Sequence, residues 1–264
     1  MERPHPPKLV GVIHLAPLPG SPHATNTAEA VAAGAAEDAR VLLAAGYDAI
    51  IVENFGDIPF LRQVEPITVS AMTLAVARVR DACPTIELGV NVLRNDAQAA
   101  LAVAVVAGAS FIRVNVHVGA RVTDQGVVEG EAGATLRTRR ALDAQHVSLW
   151  ADVDVKHSAP LGARPIKDEA KDATLRGLAD VVLITGEGTG RPTDLAKLAE
   201  VRSVVTVPVY VASGAVIEQL SALAHVCDGV VVGSALRRDG KAGGRVDPDS
   251  AAAFARAFRG AYAS

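Results

Sequence analysis

Residues 148–157, Ser-Leu-Trp-Ala-Asp-Val-Asp-Val-Lys-His, hold the densest set of side chains able to do chemistry in this chain. Strand alternation places Trp150, Asp152, Asp154 and Lys156 on one face and Ala151, Val153 and Val155 on the other. On such a strand Asp152 and Asp154 stand about 7 Å apart. At an effective dielectric of about 20, two unit charges at that spacing repel by about 2.4 kcal/mol, close to two pKa units. Both stay ionised only if Lys156, another cation or a metal offsets them. Otherwise one is held protonated and becomes a general acid. A buried ion-pair network is the structural reading of the same residues. Three charges on one buried strand are costly without a use, which favours the functional reading.

The same logic extends to other aliphatic runs. In Phe111-Ile-Arg-Val-Asn-Val-His117, Arg113, Asn115 and His117 share a face. Arg113, the deepest, suits a structural partner for an interior carboxylate, whereas Asn115 and His117 suit ligand contact or proton transfer. Asn91 lies on the preceding strand and Arg94 follows in its loop. Glu53 and Asn54 end another run, and His14 ends the first. A carboxylate closing an aliphatic strand has little structural reason to be there, so Glu53 joins Asp152, Asp154 and Lys156 as a candidate catalyst. His14, Asn54, Asn91, Arg94, Asn115 and His117 are the candidate substrate contacts.

Two later runs, Val207-Pro-Val-Tyr-Val-Ala-Ser-Gly214 and Asp228-Gly-Val-Val-Val-Gly-Ser-Ala235, pass abruptly from aliphatic residues to a Ser/Gly pair. A strand that stops at glycine and feeds a helix offers bare backbone N–H groups at the positive end of the helix dipole, which is an anion cradle. A third run, 183–192, ends in a glycine-rich loop with Arg191. Thr185, Gly186, Gly188, Ser213, Gly214, Gly233 and Ser234 are therefore the candidate phosphate contacts. The stretch from Gly233 to Lys241 has the wrong spacing for a P-loop, and no nucleophile elbow appears. No His/Cys cluster has zinc spacing. Whether Glu53, Asp152 and Asp154 hold Mg²⁺ or a salt-bridge network is left open.

These residues need a scaffold that brings strand ends together. Short aliphatic runs alternate with Ala-rich amphipathic ones. The expected strands are 9–14, 49–53, 86–93, 111–117, 148–156, 180–185, 207–212 and 229–232. The expected helices are 27–45, 66–82, 96–107, 134–145, 168–176, 194–201, 216–224 and 249–261. Eight strand–helix units in 264 residues fit a closed (β/α)8 TIM barrel spanning 1–264 as one domain, with 1–7 a flexible tail. The runs ending at 213–214 and 233–234 are then strands seven and eight, where that fold most often holds phosphate. Long strand-to-helix loops at 15–26, 54–65, 118–133 and 157–167 would surround the same mouth.

Composition narrows the function class. Aromatics are 3% of the chain, so the core must be built from Ala, Val, Leu and Ile. A net charge of −3 without a basic stripe gives nucleic acid nothing to bind. No run approaches the roughly 18 apolar residues that span a bilayer, and the N-terminal tail has no signal-peptide core. A cytoplasmic protein without a membrane partner is expected. Cys83 and Cys227 each precede an expected strand and read as buried small hydrophobes. The Ala-rich helices suit a homo-oligomer interface and the barrel's own outer layer equally.

Together, Gly11-Val-Ile-His-Leu-Ala-Pro-Leu-Pro-Gly-Ser-Pro22, residues 51–60, Gly89-Val-Asn-Val-Leu-Arg-Asn-Asp96, residues 111–117 and residues 151–157 resemble the BtpA/SgcQ family over essentially the whole chain. The resemblance implies a phosphate-binding TIM barrel and brings no cofactor and no settled catalytic residues. The resulting expectation is an enzyme acting on a small phosphorylated metabolite, a sugar phosphate or nucleotide-like compound, by isomerase/epimerase or aldolase/lyase chemistry. The alternative is a non-catalytic assembly factor, as the family's link to photosystem I biogenesis implies, or a metabolite sensor.

Overall fold

The computed structural model describes residues 8–155, 157–162, 164–185 and 194–263. Eight parallel strands close into a barrel: β1 (Lys8–His14), β2 (Ala49–Glu53), β3 (Glu87–Asn91), β4 (Phe111–Val114), β5 (Ser148–Val153), β6 (Val181–Thr185), β7 (Val209–Ser213) and β8 (Gly229–Val232). They neighbour one another in chain order, and β8 pairs with β1 to close the ring. Between them run α1 (Ala28–Ala44), α2 (Pro66–Ala82), α3 (Ala97–Ala107), α4 (Ala132–Ala141), α5 (Ile166–Lys171), α6 (Leu195–Arg202) and α7 (Leu220–Leu223), with α8 (Pro248–Tyr262) last. The expected TIM barrel is the observed fold.

Local chemistry explains the helix starts. Thr27, Asp96, Asp194 and Asp247 each accept a backbone N–H from the first turn they cap. Pro66 and Pro248 occupy first-turn positions, where a missing N–H costs nothing. Gly108 closes α3 in the left-handed conformation.

The aliphatic strand faces pack outward against the helices, and the opposite faces fill the barrel. Inside, the Phe111 and Trp150 rings stack at 3.8 Å, and Trp150 meets Tyr210 edge-on at 5.2 Å. Gly89 makes room for them, because a Cβ there would lie 2.1 Å from the Phe111 ring. This apolar plug seals the barrel below its mouth.

Three differences from expectation shape the mouth. First, residues 118–133 are not an open loop. Ala120–Thr123 and Gly126–Glu129 form a hairpin, and Ala159–Pro160 adds a third strand to make a flap. Second, β4 stops at Val114 rather than His117. The Asn95 side chain bonds both the N–H and the C=O of Val116, at 2.7 and 2.8 Å, where a neighbouring strand would have done so. Third, β5 stops at Val153 because Asp154 turns left-handed, with φ 57°. Cys83 and Cys227 are buried and unbridged. Among the described residues no helix is long and apolar enough to cross a membrane.

Candidate functional site

Strand register sets four polar side chains in a row. His14 is paired with Glu53, Glu53 with Asn91, and Asn91 with Arg113 across β1, β2, β3 and β4. They share the inward parity of the apolar plug, so they form a polar half-ring on top of it. Glu53 Oε2 accepts from Asn91 Nδ2 at 2.8 Å and lies 3.9 Å from Arg113 Nη1. Its Oε1 lies 3.9 Å from His14 Nε2. The Gly243 N–H donates to His14 Nδ1 at 3.0 Å, so a neutral His14 carries its proton on Nε2, facing Glu53.

Arg113 continues the ring to β5. Its Nε and Nη2 grip Asp152 Oδ1 and Oδ2 at 3.0 and 2.9 Å, and Asn115 Nδ2 donates to Oδ2 at 2.8 Å. Burial penalises the guanidinium charge, but the Asp152 carboxylate beside it holds its pKa above the ordinary value. Asn91 and Asn115 each spend the amide nitrogen on a carboxylate and leave Oδ1 buried without a partner. A buried orphan acceptor beside a cavity is a place for a ligand hydroxyl or amine.

The half-ring opens into a cavity of about 430 Å³ at the C-terminal mouth. His14, Glu53, Arg113 and Asn115 are in its wall, together with Ser213–Gly214 and Gly233–Ser234. Gly214 is left-handed (φ 80°), and Gly233 opens a 3₁₀ turn at Ser234–Leu236, whose first N–H groups have no intrahelical acceptor. A Cβ on Gly233 would come within 3.2 Å of the His14 ring.

Arg237 lies beneath this turn, buried. Its guanidinium donates to the carbonyls of Val12, Gly233, Gly243 and Gly244. Among the described residues no carboxylate is within ion-pairing distance of it. Burial lowers its pKa to about 10, which leaves it charged at neutral pH.

Comparison with known proteins places this barrel. The BtpA family profile matches residues 5–260. The chain belongs to the BtpA family. It is 44% identical over 252 residues to the photosystem I biogenesis protein BtpA of Synechocystis sp., covering 95% of this chain and 87% of that one. Among solved structures it is similar to the thiamine phosphate pyrophosphorylase of Pyrococcus furiosus, with a TM-score of 0.59, 16% identity and 96% of each chain covered. It is also similar to the (S)-3-O-geranylgeranylglyceryl phosphate synthase of Thermoplasma acidophilum, solved with sn-glycerol-1-phosphate. There the TM-score is 0.59 at 17% identity, covering 97% of this chain and 94% of that one. At these identities the structural likeness carries the fold alone.

In this BtpA-family barrel the expected site divides. His14, Glu53, Asn115, Arg94, Ser213, Gly214, Gly233 and Ser234 all reach one cavity, with Asn91 hydrogen-bonded behind Glu53. Asp152 shares the inward row but has both oxygens occupied. The left-handed turn takes Asp154 out of that row, and cations offset the repulsion expected between the two carboxylates, with Arg113 at Asp152. Asp154 instead pairs with Arg121 at 2.8 Å and Lys197 at 3.2 Å, beside a second cavity of about 230 Å³. Burial pushes the Glu169 carboxyl up in the same cavity, with Arg121 opposing it. His117 also misses the mouth. Its Nε2 meets the Gly177 carbonyl at 2.7 Å, and burial lowers its pKa. Asn54 is spent bridging loops: its Oδ1 accepts from the Leu93 N–H and its Nδ2 donates to Asp57. Thr185 donates to the Asp154 carbonyl. Lys156, Gly186 and Gly188 lie outside the described residues.

The turn at Asp154 also reverses parity beyond it, so that Val155 and His157 line the mouth cavity. Alternation along β5 points the other way, and only the tolerance of Asp for left-handed backbone hinted at the turn. Phe55, Phe60 and Asp124 are further wall residues not foreseen from the sequence. For Asp124 a signal was present, since Asp124-Gln-Gly126 between valine-containing alternations is a hairpin signature.

Proposed function

We propose that this chain is an enzyme acting on a small phosphorylated metabolite by proton transfer at the barrel mouth, in an isomerase/epimerase or lyase-type reaction. The observation that carries the reading is the meeting of two features in one cavity: the His14–Glu53 pair and the Gly214/Gly233–Ser234 cradle. Backbone N–H groups at Gly214 and Ser234 would take the phosphate oxygens, with Arg237 supplying long-range positive charge beneath them. Glu53 then removes a proton from substrate carbon and His14 Nε2–H donates to the developing oxyanion, roles their facing positions allow. Asn115 Oδ1 orients a substrate hydroxyl. Asp152 holds Arg113, which keeps positive charge beside Glu53. In the lyase version Lys156 is the Schiff-base amine, and borohydride trapping with sugar phosphates reads out that adduct. Among the described residues no three His, Cys, Asp or Glu side chains cluster as metal ligands.

The test follows the proton rather than the product. The protein is incubated in D₂O with a panel of aldose and ketose phosphates, and ¹H NMR follows loss of the C–H signal beside the carbonyl. Exchange abolished in Glu53→Gln and His14→Gln, with inorganic phosphate still bound, supports the mechanism. A panel showing neither exchange nor product overturns it.

A second reading, a non-catalytic assembly role, is favoured by the name of the Synechocystis relative. It predicts that Glu53→Gln and His14→Gln complement a deletion fully, whereas the enzymatic reading predicts that they fail.

A further inference from the structure

Part of the wall of the mouth cavity differs in character from the cradle. Phe55, Ile58, Phe60 and Leu93 form an apolar wall that the loop after β2 and the end of β3 contribute. The chain has only five phenylalanines. Phe111, Phe254 and Phe258 are fully buried in the core, while Phe55 and Phe60 are left partly open at the mouth. Ile58 beside them is 48% exposed. A barrel built almost wholly from small aliphatics has placed two of its few rings at its mouth, where Phe55 lies against the His14 ring with centroids 4.4 Å apart.

The apolar wall has a polar edge. The Arg94 guanidinium carbon lies 5.9 Å from the centre of the Phe60 ring, and Arg94 reaches the hairpin tip at Asp124 (3.5 Å) and Gln125 (3.3 Å). Arg94 and Asp124 both line the cavity. A slot with aromatic and guanidinium faces and a carboxylate at its rim suits a flat ring with hydrogen-bonding edges. An alkyl chain would gain nothing from Arg94 or Asp124. The volume, about 430 Å³, falls in the range of about 300–1,000 Å³ that takes drug-sized ligands.

We infer that the substrate is a phosphate ester bearing a heteroaromatic ring, with the phosphate at Gly214 and Gly233–Ser234 and the ring against Phe55 and Phe60. This rests on the phosphate reading above and narrows it to the nucleotide-like class. Phe60 is a specificity residue here: it touches the ring and has no part in proton transfer.

Isothermal titration with AMP, UMP, ribose 5-phosphate, adenosine and inorganic phosphate tests it. AMP and UMP should bind at least about tenfold more tightly than ribose 5-phosphate, as expected for one base stacked on an aromatic side chain. Phe60→Ala should collapse the ratio of AMP to ribose 5-phosphate affinity, Phe60→Tyr should keep it, and Phe60→Leu should lose it despite retaining apolar bulk. Equal affinity for AMP and ribose 5-phosphate, or full retention of the ratio in Phe60→Leu, overturns the ring inference and leaves the phosphate reading standing. Adenosine binding that needs Phe60, with no binding of phosphate or ribose 5-phosphate, keeps the ring and overturns the phosphate. Binding by none of the five overturns both.

Discussion

Asp152→Asn separates a structural from a catalytic role for the carboxylate that the sequence makes most conspicuous. Its side chain is 0% exposed, and its two oxygens receive Arg113 Nε, Arg113 Nη2 and Asn115 Nδ2 at 2.8–3.0 Å. An amide in the same shape must aim its NH₂ at one set of these donors, turning a charge-assisted bond into a donor–donor clash. The guanidinium also loses its counter-ion, with Glu53 at 3.9 Å as the remaining carboxylate. Removing one partner of a buried pair costs about 3–5 kcal/mol. At about 2–4 °C per kcal/mol for a chain of this size, melting should fall by about 6–20 °C. Urea unfolding followed by circular dichroism, under conditions where refolding is complete, measures the loss. Asp154→Ala is the control: Asp154 is 35% exposed and the buried Arg121 keeps Glu169 at 3.2 Å, so the loss should be smaller than at Asp152. Replacing both members of the buried pair, Arg113→Met with Asp152→Leu, should recover most of the stability. The reasoning fails if Asp152→Asn unfolds within about 1 kcal/mol of the parent, or if Asp154→Ala costs more.

Two further outcomes follow from buried groups away from the cavity. Burial lowers the His117 pKa below that of the unfolded chain, with Arg139 acting in the same direction and the Gly177 carbonyl and Asp180 opposing. The unfolded chain therefore takes up this proton first, and stability should fall as pH drops through about 6.5, the ordinary histidine value. His117→Gln should show a shallower fall between pH 7 and 5 in thermal melts, and an unchanged slope would refute the assignment. Gly89→Ala pushes a methyl to 2.1 Å from the Phe111 ring and should destabilise by about 1–3 kcal/mol or more. Phe111→Leu in the same chain should restore part of that loss, as a double-mutant cycle in urea would show.

The barrel itself was legible because its signals are local and repeated. Period-two aliphatic runs, Asp and Thr caps and glycine stops mark each unit, and the observed β2 and β8 begin and end where the pattern puts them. The half-ring was legible for a related reason. Parity alone turns Glu53, Asn91, Arg113 and Asp152 inward, and the closed topology then makes the first three lateral neighbours. What parity could not supply is where each strand stops. Two side-chain events end β4 and β5: Asn95 satisfying Val116, and Asp154 turning left-handed with its carbonyl held by Thr185. Both partners are distant in sequence, so no window along the strand contains the information. Near those two points the alternation misplaces His117, Asp154 and His157: the first two leave the mouth and the third enters it.

The same distinction explains why Arg237 escaped notice although it sits three residues beyond the second cradle. As a residue in a loop of mixed charge it resembles a solvated arginine, and only the fold shows that four backbone carbonyls from β1, the end of β8 and the following loop converge on it. Those bonds fix Gly243, whose N–H in turn sets the tautomer of His14. One buried cation thus ties the anion cradle to the proton-transfer pair through a single short loop. An occupant that neutralises the cradle should also bear on His14. Binding of inorganic phosphate should therefore shift the His14 ring signals in a ¹H–¹⁵N NMR spectrum, with no shift at His146 or His225, which precede β5 and β8 at the opposite end of the barrel. A spectrum in which phosphate leaves His14 unmoved would separate the two halves of the site.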